Sequence, residues 1–336
     1  MMESFGRVFR ISLFGQSHSA SLGVEIEGVP AGVRVSIEDF LADIRRRKPG
    51  NMGTTARIED DIPLIIRGIE EGETTGTSVR IVFGNTAWRA DDYKAFNDIP
   101  RPGHADFVRM AKYGRESLSS GGGMFSGRMT LPLVAAGVVA KKIIAPVKVS
   151  AVLTEAGGIP LSGPDPYKDG RFTTLLKRVV EERDSIGGIV ECTCVNMPVG
   201  IGNPFFDTLE SMISHIVFSV PGIRGIEFGD GFRAAGMRGS EHNDPIVDVS
   251  GRTSKNGAGG INGGISNGNP VVFRVAAKPA SSIGKSQETV NMSTGEICRL
   301  SIGGRHDACF ALRLPPVIES VAACAVCDLL LSERNM

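Results

Sequence analysis

The chain has 336 residues, 41% of them hydrophobic and 22% charged, an ordinary globular balance with length enough for a large core. Its 37 basic and 37 acidic residues give a formal net charge of +0, which removes any general electrostatic case for binding nucleic acid. The 43 glycines are clustered rather than periodic, which excludes a collagen-like chain and points to many tight or functional loops. No linker, charge block or repeat of about 20–50 residues divides the sequence, so one intertwined domain over residues 1–336 is expected.

The opening Met-Met-Glu-Ser-Phe-Gly-Arg lacks the apolar core of a signal peptide, so a cytoplasmic protein with reduced thiols is expected. Cys324 and Cys327 have the spacing of a redox or zinc pair. They lie inside an apolar helical run without a histidine cluster, and are read as core cysteines, with no metal site. The longest apolar run identified, Leu131 to Ala140, is too short to span a bilayer.

Phe9, Ile11 and Leu13 alternate with polar residues and predict a strand; Val24 and Ile26 predict another. The Gly/Ser loop between them carries His18, which fits either a cleft or an exposed loop. Ser36 and Asp39 resemble a capping box, followed by Ile37, Phe40, Leu41 and Ile44 at helical spacing. That helix ends in Arg45-Arg46-Arg47-Lys48, cations that suit a helix C-terminus or an anionic ligand. Leu64 to Ile69 and Ser78 to Phe83 predict paired strands around a turn at 72–76. Arg101-Pro102-Gly103-His104 predicts a rigid turn with a histidine at its tip.

The stretch Ser119 to Thr130 holds Gly121-Gly122-Gly123, Ser126 and Arg128 directly before an apolar helical run. Glycines allow close backbone approach, and a helix N-terminus with an arginine suits a phosphate or carboxylate. Thr130 is the expected cap of a helix buried all round to Ile144. Val147 to Thr154 and Gly188 to Asn196 predict strands, and Thr173 to Arg183 a helix. Asp207 with Glu210 predicts another helix start, and Pro316 to Leu331 the last helix. Lys278-Pro279-Ala280-Ser281-Ser282 offers a cation and two hydroxyls, and Gly304-Arg305-His306-Asp307 groups three chemically active side chains.

His18, His104 and His306 thus sit in Gly-rich loops accompanied by cations. They suit a general acid or base acting on an anionic small molecule. A zinc site is disfavoured by the cationic neighbours, and neither a P-loop nor a dinucleotide fingerprint is present. Residue chemistry alone reaches an enzyme acting on a multiply anionic, phosphorylated small molecule, with the reaction left open.

The motifs Gly-Gln-Ser-His-Ser (15–19), Arg-Arg-Lys-Pro-Gly (46–50), Arg-Pro-Gly-His-Ala-Asp (101–106) and Gly-Gly-Gly-Met-Phe-Ser-Gly-Arg-Met-Thr (121–130) occur in this order. They are followed by Ser-Val-Pro-Gly-Ile-Arg-Gly-Ile-Glu-Phe-Gly-Asp-Gly-Phe (219–232), Gly-Gly-Ile-Asn-Gly-Gly-Ile-Ser-Asn-Gly (259–268), Lys-Pro-Ala-Ser-Ser (278–282) and Gly-Arg-His-Asp (304–307). As a set they resemble the chorismate synthase family. The resemblance implies an α+β fold with helices sandwiched between two antiparallel β-sheets, and a homotetramer. It also implies a lyase of aromatic amino-acid biosynthesis that uses reduced FMN. Its reaction would be the 1,4-anti elimination of phosphate from 5-O-(1-carboxyvinyl)-3-phosphoshikimate, giving chorismate without net redox change.

By the same resemblance His18 is the acid beside the departing phosphate, His104 protonates or stabilises the reduced flavin, and Asp307 assists removal of the ring proton. Arg46, Arg47, Ser126 and Arg128 grip the substrate. Arg47 also stands at a position assigned to NADP, with NADPH a possible reductant. Ser126, Gly222, Gly263, Lys278, Pro279, Ala280, Ser281, Ser282 and Arg305 hold FMN. The sequence departs from the usual family pattern at Gln16, Ser19, Gly53 and Met124-Phe125, losing two cationic positions. Those losses motivate an alternative, a non-catalytic relative that binds flavin or anions.

Overall fold

A computed structural model describes residues 4–55, 59–85, 98–115, 122–303 and 306–334. The alternating pattern near the N-terminus forms β2 (Arg10–Gly15) and β3 (Ser21–Glu27), paired antiparallel with Leu13 opposite Val24. With β1 (Ser4–Phe5), β4 (Leu64–Arg67) and β7 (Val79–Gly84) they make a sheet of order β1-β2-β3-β7-β4. Leu22, Val24, Ile26, Val79, Ile81 and Phe83 are fully buried in it. The expected strand Leu64–Ile69 is interrupted at Gly68, whose φ is +84° and where a Cβ would stand 2.4 Å from the Ser78 carbonyl oxygen. The chain turns there into a separate hairpin, β5 (Ile69–Glu70) with β6 (Glu73–Thr74).

A second antiparallel sheet has the order β11-β14-β10-β8-β9. Its strands are β8 (Lys148–Ala156), β9 (Ile159–Pro160), β10 (Gly188–Val195), β11 (Ile223–Phe228) and β14 (Val271–Ala277). Two hairpins lie outside both sheets, β12 (Ile261–Asn262) with β13 (Ile265–Ser266), and β15 (Gln287–Val290) with β16 (Ile297–Leu300).

The helices are α1 (Ile37–Arg47), α2 (Asp106–Tyr113), α3 (Thr130–Ile143), α4 (Gly170–Glu181), α5 (Leu209–Val217), the short α6 (Gly239–His242) and α7 (Pro315–Arg334). The Ser36–Asp39 capping box forms as its sequence predicts. α3 packs on β2, β3 and β7, α7 packs on β8 and β10, and the two helices pack on each other. The layers are therefore sheet, α3, α7, sheet, the expected sandwich.

Three expectations need correction. Thr130 does not cap α3 but is its first residue. Its hydroxyl donates to the Gly127 carbonyl at 2.7 Å and accepts from Arg47 Nε at 2.9 Å, because the buried guanidinium needs a partner there. The α5 cap is Thr208 rather than Asp207; its hydroxyl accepts the Ser211 N–H at 2.9 Å, while Asp207 pairs with Arg7 at 2.7 Å. Judging membrane length from the longest uninterrupted run, Leu131–Ala140, overlooks α7. Pro315–Glu333 of α7 is long and apolar enough to cross a bilayer, with mean hydropathy 1.5, but 83% of it is buried within the chain as a core helix. Cys324 and Cys327 are fully buried in that helix, as expected.

Candidate active site

Loops from distant parts of the chain open onto one cavity of about 720 Å³. The β2–β3 turn brings His18, the end of α1 brings Arg47, and the turn before α2 brings Arg101, Gly103 and His104. The segment before α3 brings Gly122 and Met124 to Arg128, the end of β14 brings Lys278 to Ser282, and the approach to α7 brings His306, Asp307 and Arg313.

One side is built around Asp106, the first residue of α2, which is 1% exposed. Its Oδ1 lies 2.7 Å from His104 Nδ1, and it accepts from Arg101 through Nε at 2.6 Å and Nη2 at 2.8 Å. Burial pushes the Asp106 pKa up, but the hydrogen bonds from Arg101 and His104 outweigh it and hold the carboxyl well below the ordinary range. Arg101 also donates to Ser282 Oγ at 3.2 Å. Lys278 Nζ donates to Ser281 Oγ at 2.5 Å and to the Gly103 carbonyl at 2.6 Å, which ties the β14 end to the histidine turn. Burial, then the charge of Arg224, lowers the Lys278 pKa. His306 lines the same side and donates from Nε2 to the Gly303 carbonyl at 3.1 Å. Burial is the main cause of its lowered pKa.

A second part of the lining is an arginine bed. Arg47 is 2% exposed and donates to Thr130 Oγ1 and, at 3.3 Å, to the Gly127 carbonyl. Burial first, and the nearby Arg313 second, lower its pKa to about 9. Arg128 donates to Asn85 Oδ1 at 3.1 Å and pairs with Asp61, which also faces Arg47 at 3.5 Å. Asp307 accepts the Thr55 N–H at 2.7 Å and pairs with Arg313 at 3.1 Å. Ser126 Oγ accepts the Arg128 N–H at 3.2 Å and so starts the turn that leads into α3. Gly222 has φ +91°, and a Cβ there would stand 3.0 Å from the Phe310 ring, so only a bare backbone fits beside that ring.

A family model described as chorismate synthase matches residues 9–331. A chorismate synthase of Chitinophaga pinensis is 53% identical over 99% of this chain and 98% of its own length. The chain belongs to the chorismate synthase family. Chorismate synthases of Dehalococcoides mccartyi and Korarchaeum cryptofilum are each 40% identical, covering 98% and 96% of this chain and 97% and 96% of their own lengths. A solved chorismate synthase crystal structure superposes with a TM-score of 0.77 at 25% identity, covering 98% of this chain and 93% of its own. None of these relatives supports a non-catalytic reading.

Against the chorismate synthase expectation, the cavity gathers His18, His104, Asp307, Arg47, Ser126, Arg128, Gly222 and the whole 278–282 segment. Arg46 is not among its lining. Its guanidinium turns to Glu319 of α7 in a bidentate pair at 2.7 Å, because a carboxylate only 3% exposed requires a counter-charge. Gly263 lies in the β12–β13 turn, also outside that lining. Arg305 falls outside the described residues. At Gly53, φ is +84°, a conformation that strains any residue with a Cβ, and a Cβ would stand 2.6 Å from the Leu176 side chain of α4, which would have to shift. Sequence reasoning missed Asp61, Asp106 and Arg313 as site residues. Asp106 was legible within its own motif, two residues from His104. Asp61 carried only a weak signal, the end of a Glu-Asp-Asp run before Ile62-Pro63.

Proposed function

We propose that the chain, working as a single cytoplasmic domain and as a homotetramer, eliminates phosphate from 5-O-(1-carboxyvinyl)-3-phosphoshikimate to give chorismate. Reduced FMN would be bound in the same cavity. The observation that carries this reading is the convergence of His18, His104 and Asp307 on the cavity that holds the Arg47–Arg128 bed. A substrate with two carboxylates and a phosphate needs several fixed cations, and Arg47 and Arg128 are fixed before it arrives.

The Lys278, Ser281 and Ser282 donors, with Arg101 beside them, fit a phosphate ester, and Gly222 lines the same cavity. These residues would hold FMN, with Ser126 near the substrate end. When bound, reduced FMN would supply electron density transiently, with no net redox change. His18 would deliver a proton to the departing phosphate oxygen. His104, its Nδ1 engaged by Asp106, presents Nε2 for a proton held at the flavin. Asp307 is kept in place by the Thr55 N–H and Arg313, and would assist removal of the ring proton. NADPH as the reductant, with Arg47 as its contact, belongs to the same proposal.

An anaerobic assay with purified protein, reduced FMN and the carboxyvinyl phosphoshikimate should release phosphate and form chorismate. Tight FMN binding without phosphate release would overturn the reading.

A further inference from the structure

Arg47, Arg128 and Arg313 bring three guanidiniums to one wall of the cavity, two of them almost without solvent. Like charges so placed repel strongly in a medium of low dielectric. Asp307, which pairs with Arg313, and Asp61 are the carboxylates that favour the Arg47 charge. Asp61 is 4% exposed, and its two oxygens face different arginines: Oδ1 takes Arg128 Nη1, and Oδ2 lies 3.5 Å from Arg47 Nη1. Its backbone sits at φ +53°, a left-handed conformation that costs free energy in any residue other than glycine. The neighbouring Asp60 is exposed, whereas Glu59 of the same run is buried and lines the cavity as well.

We propose that Asp61 is a positioning residue that holds Arg47 and Arg128 side by side as a preformed clamp for the anionic substrate. It bridges α1 and the segment before α3, alongside the Arg47 contacts with Gly127 and with Thr130 of α3. The clustered guanidiniums attract an anion, while Asp61 keeps these cations from separating. The inference rests on the cavity being the substrate site. Charge on Arg47 is set jointly by Asp61 and Asp307, which favour it, and by burial, Arg313 and Arg128, which oppose it.

Steady-state kinetics with the carboxyvinyl phosphoshikimate, on wild type, Asp61→Asn and Arg128→Gln with full flavin, test it. Asp61→Asn should raise KM about tenfold or more while kcat stays within about threefold, the pattern of lost ground-state positioning. The alkaline limb of kcat/KM should move to lower pH, since removing the carboxylate lets the Arg47 proton leave earlier. A purely structural residue would lower the yield of folded enzyme and leave KM and the pH profile of the folded fraction unchanged; that result overturns the proposal. If Arg128→Gln loses kcat/KM and Asp61→Asn does not, Asp61 has no positioning role and the cavity reading stands. If neither changes, both fall. Should Asp61→Asn not fold, Asp61→Glu decides, because one extra methylene displaces both guanidiniums. A several-fold higher KM supports the clamp, and a wild-type KM overturns it.

Discussion

His104 Nδ1 lies 2.7 Å from Asp106 Oδ1, and the same carboxylate takes two side-chain hydrogen bonds from Arg101. The histidine at the tip of the Pro-Gly turn is therefore oriented by a buried anion, with its other ring nitrogen left to address the cavity. This arrangement fixes the direction of the ring in the manner expected of a residue that moves protons.

His104→Ala should lower turnover by about 10²–10⁴ if the imidazole acts in proton transfer. Wild-type turnover, measured anaerobically with reduced flavin, would remove His104 from the chemistry.

Asp106→Asn should lower turnover less than His104→Ala and should also lower stability at neutral pH. The folded pKa of Asp106 is depressed, so its contribution is fully present above the unfolded value of about 3.9 and is lost as pH falls toward the folded value. The gap in unfolding midpoint between wild type and Asp106→Asn should therefore narrow as pH drops below about 4. A gap that stays constant down to the acid transition would show that the carboxylate charge contributes nothing.

The strands near the N-terminus, α1 with its capping box and the buried helix α3 were legible because period and cap are local properties. What the sequence hid is tertiary. Arg46 and Arg47 are adjacent and chemically alike, yet α1 turns one toward Glu319 and the other into the cavity. Thr130 reads as a cap until the buried Arg47 claims its hydroxyl. Gly53 reads as the loss of a cation, whereas its φ of +84° and the Leu176 side chain of α4 favour a glycine there. In each case the deciding partner lies far away in sequence, beyond the reach of spacing or composition.

Glu319→Ala should destabilise the fold by about 1–3 kcal/mol, chiefly by leaving the buried Ala151 N–H without its acceptor, since Arg46 and Lys141 keep Asp43. Glu319 accepts from both Arg46 guanidinium nitrogens, from Lys141 at 3.0 Å and from the Ala151 N–H at 2.9 Å, so α1, α3 and β8 all lose a contact to α7. Chemical denaturation should show a lower midpoint with little change in slope; an unchanged midpoint would rule out a stabilising role.

Asp328 Oδ1 accepts the N–H groups of Arg7, Val8 and Phe9 at 2.8–2.9 Å, fastening the entry to β2 onto α7. Asp328→Ala leaves these donors without their acceptor, at a cost of about 1–3 kcal/mol for each that stays buried. Phe9 is fully buried, so its amide should lose hydrogen-exchange protection first. Equal protection in the two proteins would count against the fastening.

Gly137 of α3 meets Ser320 of α7 so closely that a Cβ on Gly137 would stand 2.2 Å from the Ser320 Cβ and 2.4 Å from its Cα. The two central helices can touch here only because both residues are small. Gly137→Ala should therefore destabilise by about 1–3 kcal/mol or more through overpacking, although alanine is otherwise the better helix former. Ser320→Gly removes the nearer clash and also the Ser320 hydroxyl bond to the Pro316 carbonyl at 2.6 Å. Alone it should cost about 1 kcal/mol as a glycine in a helix. Combined with Gly137→Ala, the two changes should be less damaging than the sum of the singles, with a coupling of about 0.5–3 kcal/mol. Strict additivity in a double-mutant cycle by thermal unfolding would mean that the helices do not pack through this pair. The cavity provides an independent readout, since α3 and α7 follow directly from the segments that carry Arg128 and Asp307. If the helices are forced apart at Gly137, substrate KM should rise in Gly137→Ala and recover only in part in the double variant, because the Ser320 Cα still stands 2.4 Å from the added methyl.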